Sequence, residues 1–141
     1  MADLLALSSR VIDSGNVDEP VNRITNELSE LADGLAIVES FSHSVVLDAG
    51  DGLVAFDASH ARTGREVVAA IRGWTETPVS HLVYTHGHAD HVGGSPDFAA
   101  AYGDMTVVGH RNVDTRFDRY RYTNDWNVLI NARQFGGVRG D

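Results

Sequence analysis

The sequence predicts an α/β fold, a mixed sheet with helices on at least one face. Two observations carry that expectation. Ser44–Asp48 (SVVLD) and Leu53–Asp57 (LVAFD) are short apolar runs flanking Ala49-Gly50-Asp51-Gly52, which reads as an antiparallel hairpin. The chain then alternates a helical period, a strand, a helix and a strand, the order that feeds parallel strands into a sheet.

Residues 1–34 read as a helical lead-in. Leu4, Leu5, Leu7 and Val11 are loosely helical in spacing, and Gly15-Asn16 is a stop signal. Ile24, Leu28 and Leu31 share one face of a second expected helix over Val21–Leu31. After Asp33-Gly34 the pattern changes, and residues 35–141 form the second expected unit. It opens with the apolar run Leu35–Phe41 and continues through the hairpin. Val67, Val68, Ile71 and Trp74 give Ala61–Trp74 a helical period that Thr77-Pro78 ends. His81–Thr85 (HLVYT) is the next strand, Asp97–Tyr102 a helix and Met105–Val108 a strand. From Arg111 onward arginines interleave with Phe117, Tyr120, Tyr122 and Trp126. Asp114, Asp118 and Asp125 dilute that charge, so the segment reads as a packed, salt-bridged connection. A substrate-pocket wall is the alternative, and nucleic-acid contact is disfavoured.

Composition narrows the function. In 141 residues, 11 Lys and Arg stand against 20 Asp and Glu, a formal net charge of −9 that disfavours a nucleic-acid partner. There is no Cys, which removes disulfides, thiolate zinc sites and thiol nucleophiles. No apolar run approaches the roughly 20 residues of a membrane span. Asp3 stands where a signal peptide needs a basic start, so the expected location is cytoplasmic, away from membranes. Neither a G-x-S-x-G elbow nor a phosphate-binding P-loop is present.

The informative segment is His86-Gly87-His88-Ala89-Asp90-His91, directly after HLVYT. An H-x-H-x-D-H run arises by chance in a chain this long with a probability of about 10⁻⁴ at average residue usage. On an extended tail, positions i and i+2 project to one side, so His86 and His88 can grip one ion. Asp90 and His91 lie where the chain turns into the next helix and can face a neighbouring ion. Imidazole plus carboxylate without thiolate suits zinc first, then iron or manganese. Gly87 and Ala89 are small enough for a tight loop, and Gly93-Gly94 allows a sharp helix entry.

Thr85 through Gly94 (THGHADHVGG) resembles the T-H-x-H-x-D-H-x-G-G signature of the metallo-β-lactamase superfamily, and Asp57 sits where that family carries an earlier Asp. The resemblance covers about Leu35–Val108. It implies an αββα sandwich, of which this chain is expected to hold the N-terminal half, with the metals at one edge between two sheets. It implies His86 and His88 on a first zinc ion, Asp90 and His91 on a second, and Asp57 orienting a ligand by hydrogen bonding. It also implies hydrolysis of a small-molecule ester-type substrate by metal-activated hydroxide, with Asp90 as the catalytic residue that orients the nucleophile. VVGHRNV followed by RFDRY looks like the alkylsulfatase-like branch, which points to sulfate esters.

The family pattern needs a downstream His on each metal and a bridging Asp. After His91 the sequence holds a single further His, His110, which is expected to be a pocket or surface residue. The alternative reading is therefore a truncated, non-catalytic half-domain that binds metal weakly or serves as a partner subunit. A half sandwich would leave one apolar sheet face that homo-oligomerisation could cover. His43 and His81 are expected at surface or loop positions, and His60 is close enough to a strand end to approach the pocket.

Overall fold

The computed structural model describes residues 3–16, 18 and 23–134. Helix α1 (Leu4–Ser14) follows the N-terminal period, with Asp3 accepting from the Ala6 amide at its start and Gly15 left-handed at its end. Six strands form one sheet in sequential order: β1 (Glu27–Ala32), β2 (Leu35–Glu39), β3 (Ser44–Asp48), β4 (Leu53–Phe56), β5 (Val79–Val83) and β6 (Thr106–Val108). β1 to β4 pair antiparallel, and β4, β5 and β6 pair parallel. The expected α/β class and the hairpin about Ala49–Gly52 are both present.

Two expectations fail. The stretch expected as a helix over Val21–Leu31 is strand β1 from Glu27 on; Val21 itself lies outside the described residues. The cause is the Asp33-Gly34 turn, with Gly34 at φ 71°, which folds β1 back on β2 so that Leu28 meets Val38. An Asp-Gly pair between apolar runs is a strong hairpin signal, and ladder pairing overrides the weak helical spacing. The irregular connection expected from Arg111 is instead a helix, α5 (Val113–Gln134), kinked at Thr123. The Thr123 hydroxyl donates to the Arg119 carbonyl at 2.6 Å, the back-bonding that bends helices. Of the expected salt bridges, Arg121 to Asp118 is found, at 3.3 Å. The tail 135–141 lies outside the described residues.

Helices α2 (Gly64–Trp74) and α4 (Ser95–Tyr102) cover one face of the sheet. Val67, Val68 and Ile71 of α2 and Phe98 of α4 pack on Leu28, Ala36, Val38, Val46, Leu53, Ala55 and Leu82. These residues alternate along each strand, as a one-sided core requires. The other face carries Ile37, Val45, Val54, Phe56 and Val83, all half-buried, with Leu47 and Val108 exposed. No helix among the described residues is long and apolar enough to cross a membrane.

One buried charge ties the N-terminal segment to the sheet. Glu39 is fully buried and takes Arg23 in a two-point grip, Nε to Oε1 at 2.8 Å and Nη2 to Oε2 at 2.9 Å, while the Thr25 hydroxyl donates to Oε2 at 2.8 Å. Burial pushes the carboxyl upward, but the hydrogen bonds from Arg23 and Thr25 and the Arg23 charge outweigh it and hold Glu39 below its ordinary value of 4.5. A depressed carboxylate contributes stability above its unfolded pKa and loses it as pH falls. Glu39→Gln is expected to cost about 2 kcal/mol at pH 7, less than a wholly buried pair because Arg23 keeps a third of its side chain in water. The deficit should shrink below pH 4.5 as the wild-type carboxyl protonates. Urea unfolding of both proteins at pH 7 and pH 4 checks this, and an equal deficit at both values would contradict it.

Candidate metal centre

The parallel strands set the position of the site. β4, β5 and β6 run the same way, so their C-terminal ends and the loops beyond them share one edge, the usual crevice of an open parallel sheet. The β4 loop delivers Asp57 and His60, and the β5 loop delivers Thr85 through His91. Strand β4 closes at Phe56 rather than at Asp57. Asp57 is the first residue beyond it, at φ 64°, and Ser59 follows at φ 61°. Two side chains in the left-handed region within three residues are strained, and they persist where surrounding bonds over-determine them. Here the Asp57 amide donates to the Val83 carbonyl (2.8 Å) and the Ala58 amide to the His91 carbonyl (2.7 Å). The Ser59 hydroxyl donates to the Ser40 hydroxyl at 2.8 Å. The two loops are thereby stitched together across the strand ends.

His86, His88 and His91 converge. The ring centroids of His86 lie 4.4 Å from His88 and 4.0 Å from His91, and His88 is 6.5 Å from His91. Their hydrogen bonds form a directed chain. Arg116, on α5, donates through Nη2 to His88 Nε2. A neutral imidazole has one lone pair, so His88 carries its proton on Nδ1 and donates to His86 Nε2 at 2.9 Å. His86 in turn donates from Nδ1 to the Thr85 hydroxyl (3.0 Å), which donates to Asp57 Oδ2 at 2.6 Å. Asp57 also accepts from the Thr85 amide (2.8 Å) and from His91 Nδ1 (2.7 Å). Burial first, and then the charges of Arg116 and His86, hold His88 below the usual imidazole value, consistent with its acceptor role toward a guanidinium.

The residues fit a zinc ion in donor chemistry and in aim. His86 Nε2 and His88 Nδ1 point at each other at 2.9 Å, near the roughly 3.3 Å that separates two nitrogen ligands of a tetrahedral zinc. His91 is oriented by Asp57 at Nδ1, the carboxylate–histidine arrangement that presents Nε2 to a metal. That Nε2 lies 3.5 Å from Asp90 Oδ2 and 3.1 Å from the Ser42 hydroxyl. Among the described residues, no three His, Asp or Glu side chains already form a metal cage. What stands ready is one imidazole pair and, beside it, one imidazole next to a carboxylate.

The other histidines fall outside this cluster. His60 stacks edge-on against Phe41 (5.6 Å) and lines the cleft above the site. His43 accepts from the Ser40 amide in the β2–β3 loop. His81 is exposed on β5, and His110 is exposed and accepts from the Asn112 amide at 3.2 Å. Sequence reasoning did not single out Ser42, and it placed Arg116 and Tyr120 in the Arg-aromatic segment for which a substrate-pocket wall was the alternative to a packed connection. The first half of α5 lies on the histidine loop, and the Tyr120 hydroxyl accepts from the Ala89 amide at 3.3 Å. Gly87 is where α5 meets this loop. A Cβ there would stand 3.0 Å from Arg116 Cβ, so glycine allows this close approach.

The family model of the metallo-β-lactamase superfamily matches residues 37–136. No curated protein matches the chain. Among solved structures, the chain is similar to a B3 metallo-β-lactamase described as the first with an active-site glutamic acid: 22% identity, TM-score 0.57, covering 67% of this chain and 41% of that one. It is similar to a metallo-β-lactamase of Cronobacter sakazakii with a HARLDQ motif (17%, TM-score 0.53, 61% and 32%) and to the subclass B3 enzyme BJP-1 of Bradyrhizobium japonicum (20%, TM-score 0.52, 57% and 31%). The chain thus spans between about a third and two-fifths of these structures. At such identities they speak for the fold alone.

Proposed function

The chain belongs to the metallo-β-lactamase superfamily, and on that premise we propose that it carries the histidine half of a zinc-dependent hydrolase site. The observation that supports this most is the His86–His88 nitrogen pair, aimed at one point beside an Asp57-oriented His91. His86 Nε2 and His88 Nδ1 would hold a first zinc ion, and Asp90 and His91 Nε2 a second. Zinc bound there supplies Lewis acidity, polarising the substrate oxygen and acidifying water. The chain's own residues do the positioning. Asp57 holds the His91 ring and, through Thr85, the His86 ring; Asp90 would orient the attacking nucleophile. The substrate class we favour is a small ester-type molecule, sulfate esters first, on the strength of the VVGHRNV and RFDRY segments.

A second reading has its own observation: no cage of three ligands stands assembled among the described residues. In that reading the chain binds metal weakly and acts with a partner. Zinc content per purified chain, measured by plasma emission spectroscopy, separates the two. Close to two zinc ions per chain, with turnover of a sulfate ester, a lactone or a β-lactam, supports the hydrolase reading. Below one ion per chain, without turnover, supports the second.

A further inference from the structure

Above the histidine loop lies a cleft of about 410 Å³, lined by His60, His88 and Asp90 below and by Arg116, Arg119 and Tyr120 of α5 on its side. Positions 116, 119 and 120 are spaced i, i+3 and i+4, so they share one helix face. We infer that this face of α5 is an oxyanion-recognition wall, and that Arg116 holds the negatively charged group of the substrate beside the metal ligands. The substrate role rests on the hydrolase reading above; the binding itself does not.

Three observations carry it. Neither Arg116 nor Arg119 forms an ion pair with a carboxylate among the described residues, although the chain has nearly twice as many acidic as basic residues. Arg116 instead spends a guanidinium hydrogen on a ring nitrogen, His88 Nε2, rather than on a carboxylate. The guanidinium is also pre-positioned. It lies over the Tyr120 ring, 5.6 Å from the centroid, while the Tyr120 hydroxyl is tied to the Ala89 amide. A planar guanidinium fixed in this way presents a donor fork matched to the paired oxygens of a carboxylate, sulfate or phosphate.

The test is sulfate binding to the metal-free chain in chelator, followed by amide shifts of α5 in NMR at constant ionic strength, with chloride as the reference anion. Phosphate and acetate titrations report which oxyanion geometry is preferred. Saturable sulfate binding is expected, weakened at least tenfold in Arg116→Ala, a few-fold in Arg116→Lys and unchanged in Arg65→Ala, an exposed arginine of α2. His88→Ala removes the competing acceptor, so it should retain or tighten sulfate binding while losing zinc. Equal affinity in wild type and in both Arg116 variants would overturn the proposal, as would no saturable binding in either wild type or His88→Ala. Zinc stoichiometry is read separately, so a chain that binds sulfate through Arg116 but takes up no zinc keeps this inference and loses the hydrolase reading.

Discussion

His86→Ala and His88→Ala are each expected to abolish tight zinc binding, with a loss of affinity exceeding about 100-fold, the upper end for residues that merely support a ligand. Each substitution deletes one of two ring nitrogens that stand 2.9 Å apart and aim at one point. With one nitrogen gone, the pair that aims at the first ion is broken, and the nearest remaining imidazole, His91, is the one assigned to the second ion. The two variants should differ in a second respect. His86→Ala also removes the His86 bond to the Thr85 hydroxyl, while the Thr85 and His91 bonds to Asp57 remain. His88→Ala leaves the Thr85 bond in place and frees Arg116. His110→Ala is the control: it is exposed, caps its own turn at the Asn112 amide and lies outside the cluster, so zinc content should be unchanged. Competition against a chromophoric zinc chelator measures all three. A His110→Ala loss as large as that of His86→Ala would show that the donor set has been wrongly assigned.

What could be read from the sequence follows from how local each signal is. The hairpin about Ala49–Gly52, helix α2 and the histidine loop rest on residues adjacent in the chain, and all three are found where expected. β1 was hidden because Leu28 and Leu31, three apart, share a helix face and would point to opposite faces of a strand, so the ladder with β2 overrides the local spacing. α5 was passed over although Tyr122, Trp126, Leu129 and Ile130 stand at i, i+4, i+7 and i+8, a helical spacing; the arginines and aspartates interleaved with its aromatic residues read instead as a salt-bridged connection. Its relation to the site is a long-range contact, Arg116 against Gly87 and His88, which no local pattern encodes. Asp57 lies between these cases: the family resemblance gave it an orienting role, and the structure brings it within 2.7 Å of His91 across 34 residues of chain.

Gly94→Ala is expected to be the most destabilising single substitution at this edge, by about 3 kcal/mol or more. The sequence suggested that Gly93-Gly94 supplies backbone freedom, but both residues sit at ordinary helical angles, φ −64° and −79°, which any residue adopts. The requirement is space. A Cβ on Gly94 would stand 2.8 Å from the Gly64 Cα and closer still to the Ala58 carbonyl oxygen. Both obstacles are backbone, so no side chain can swing aside, and Gly64 begins α2 while Ala58 sits in the strained loop after β4. Relief means moving α4 away from α2, which opens the packing of Phe98 on Val67 and Ile71, or pushing the Ala58 loop. That loop is held by the Ala58 amide on the His91 carbonyl and the Gly94 amide on the Ser59 carbonyl, so a shift carries His91 and Asp57 with it. The melting midpoint should fall by about 10 °C for a chain of this length. Gly73→Ala, on the exposed side of α2 where a Cβ meets nothing within 4 Å, should leave the midpoint unchanged or raise it. Thermal unfolding by circular dichroism compares the two, and a Gly94→Ala protein that melts with the wild type would show that this crossing of α2, α4 and the Ala58 loop is looser than its geometry implies.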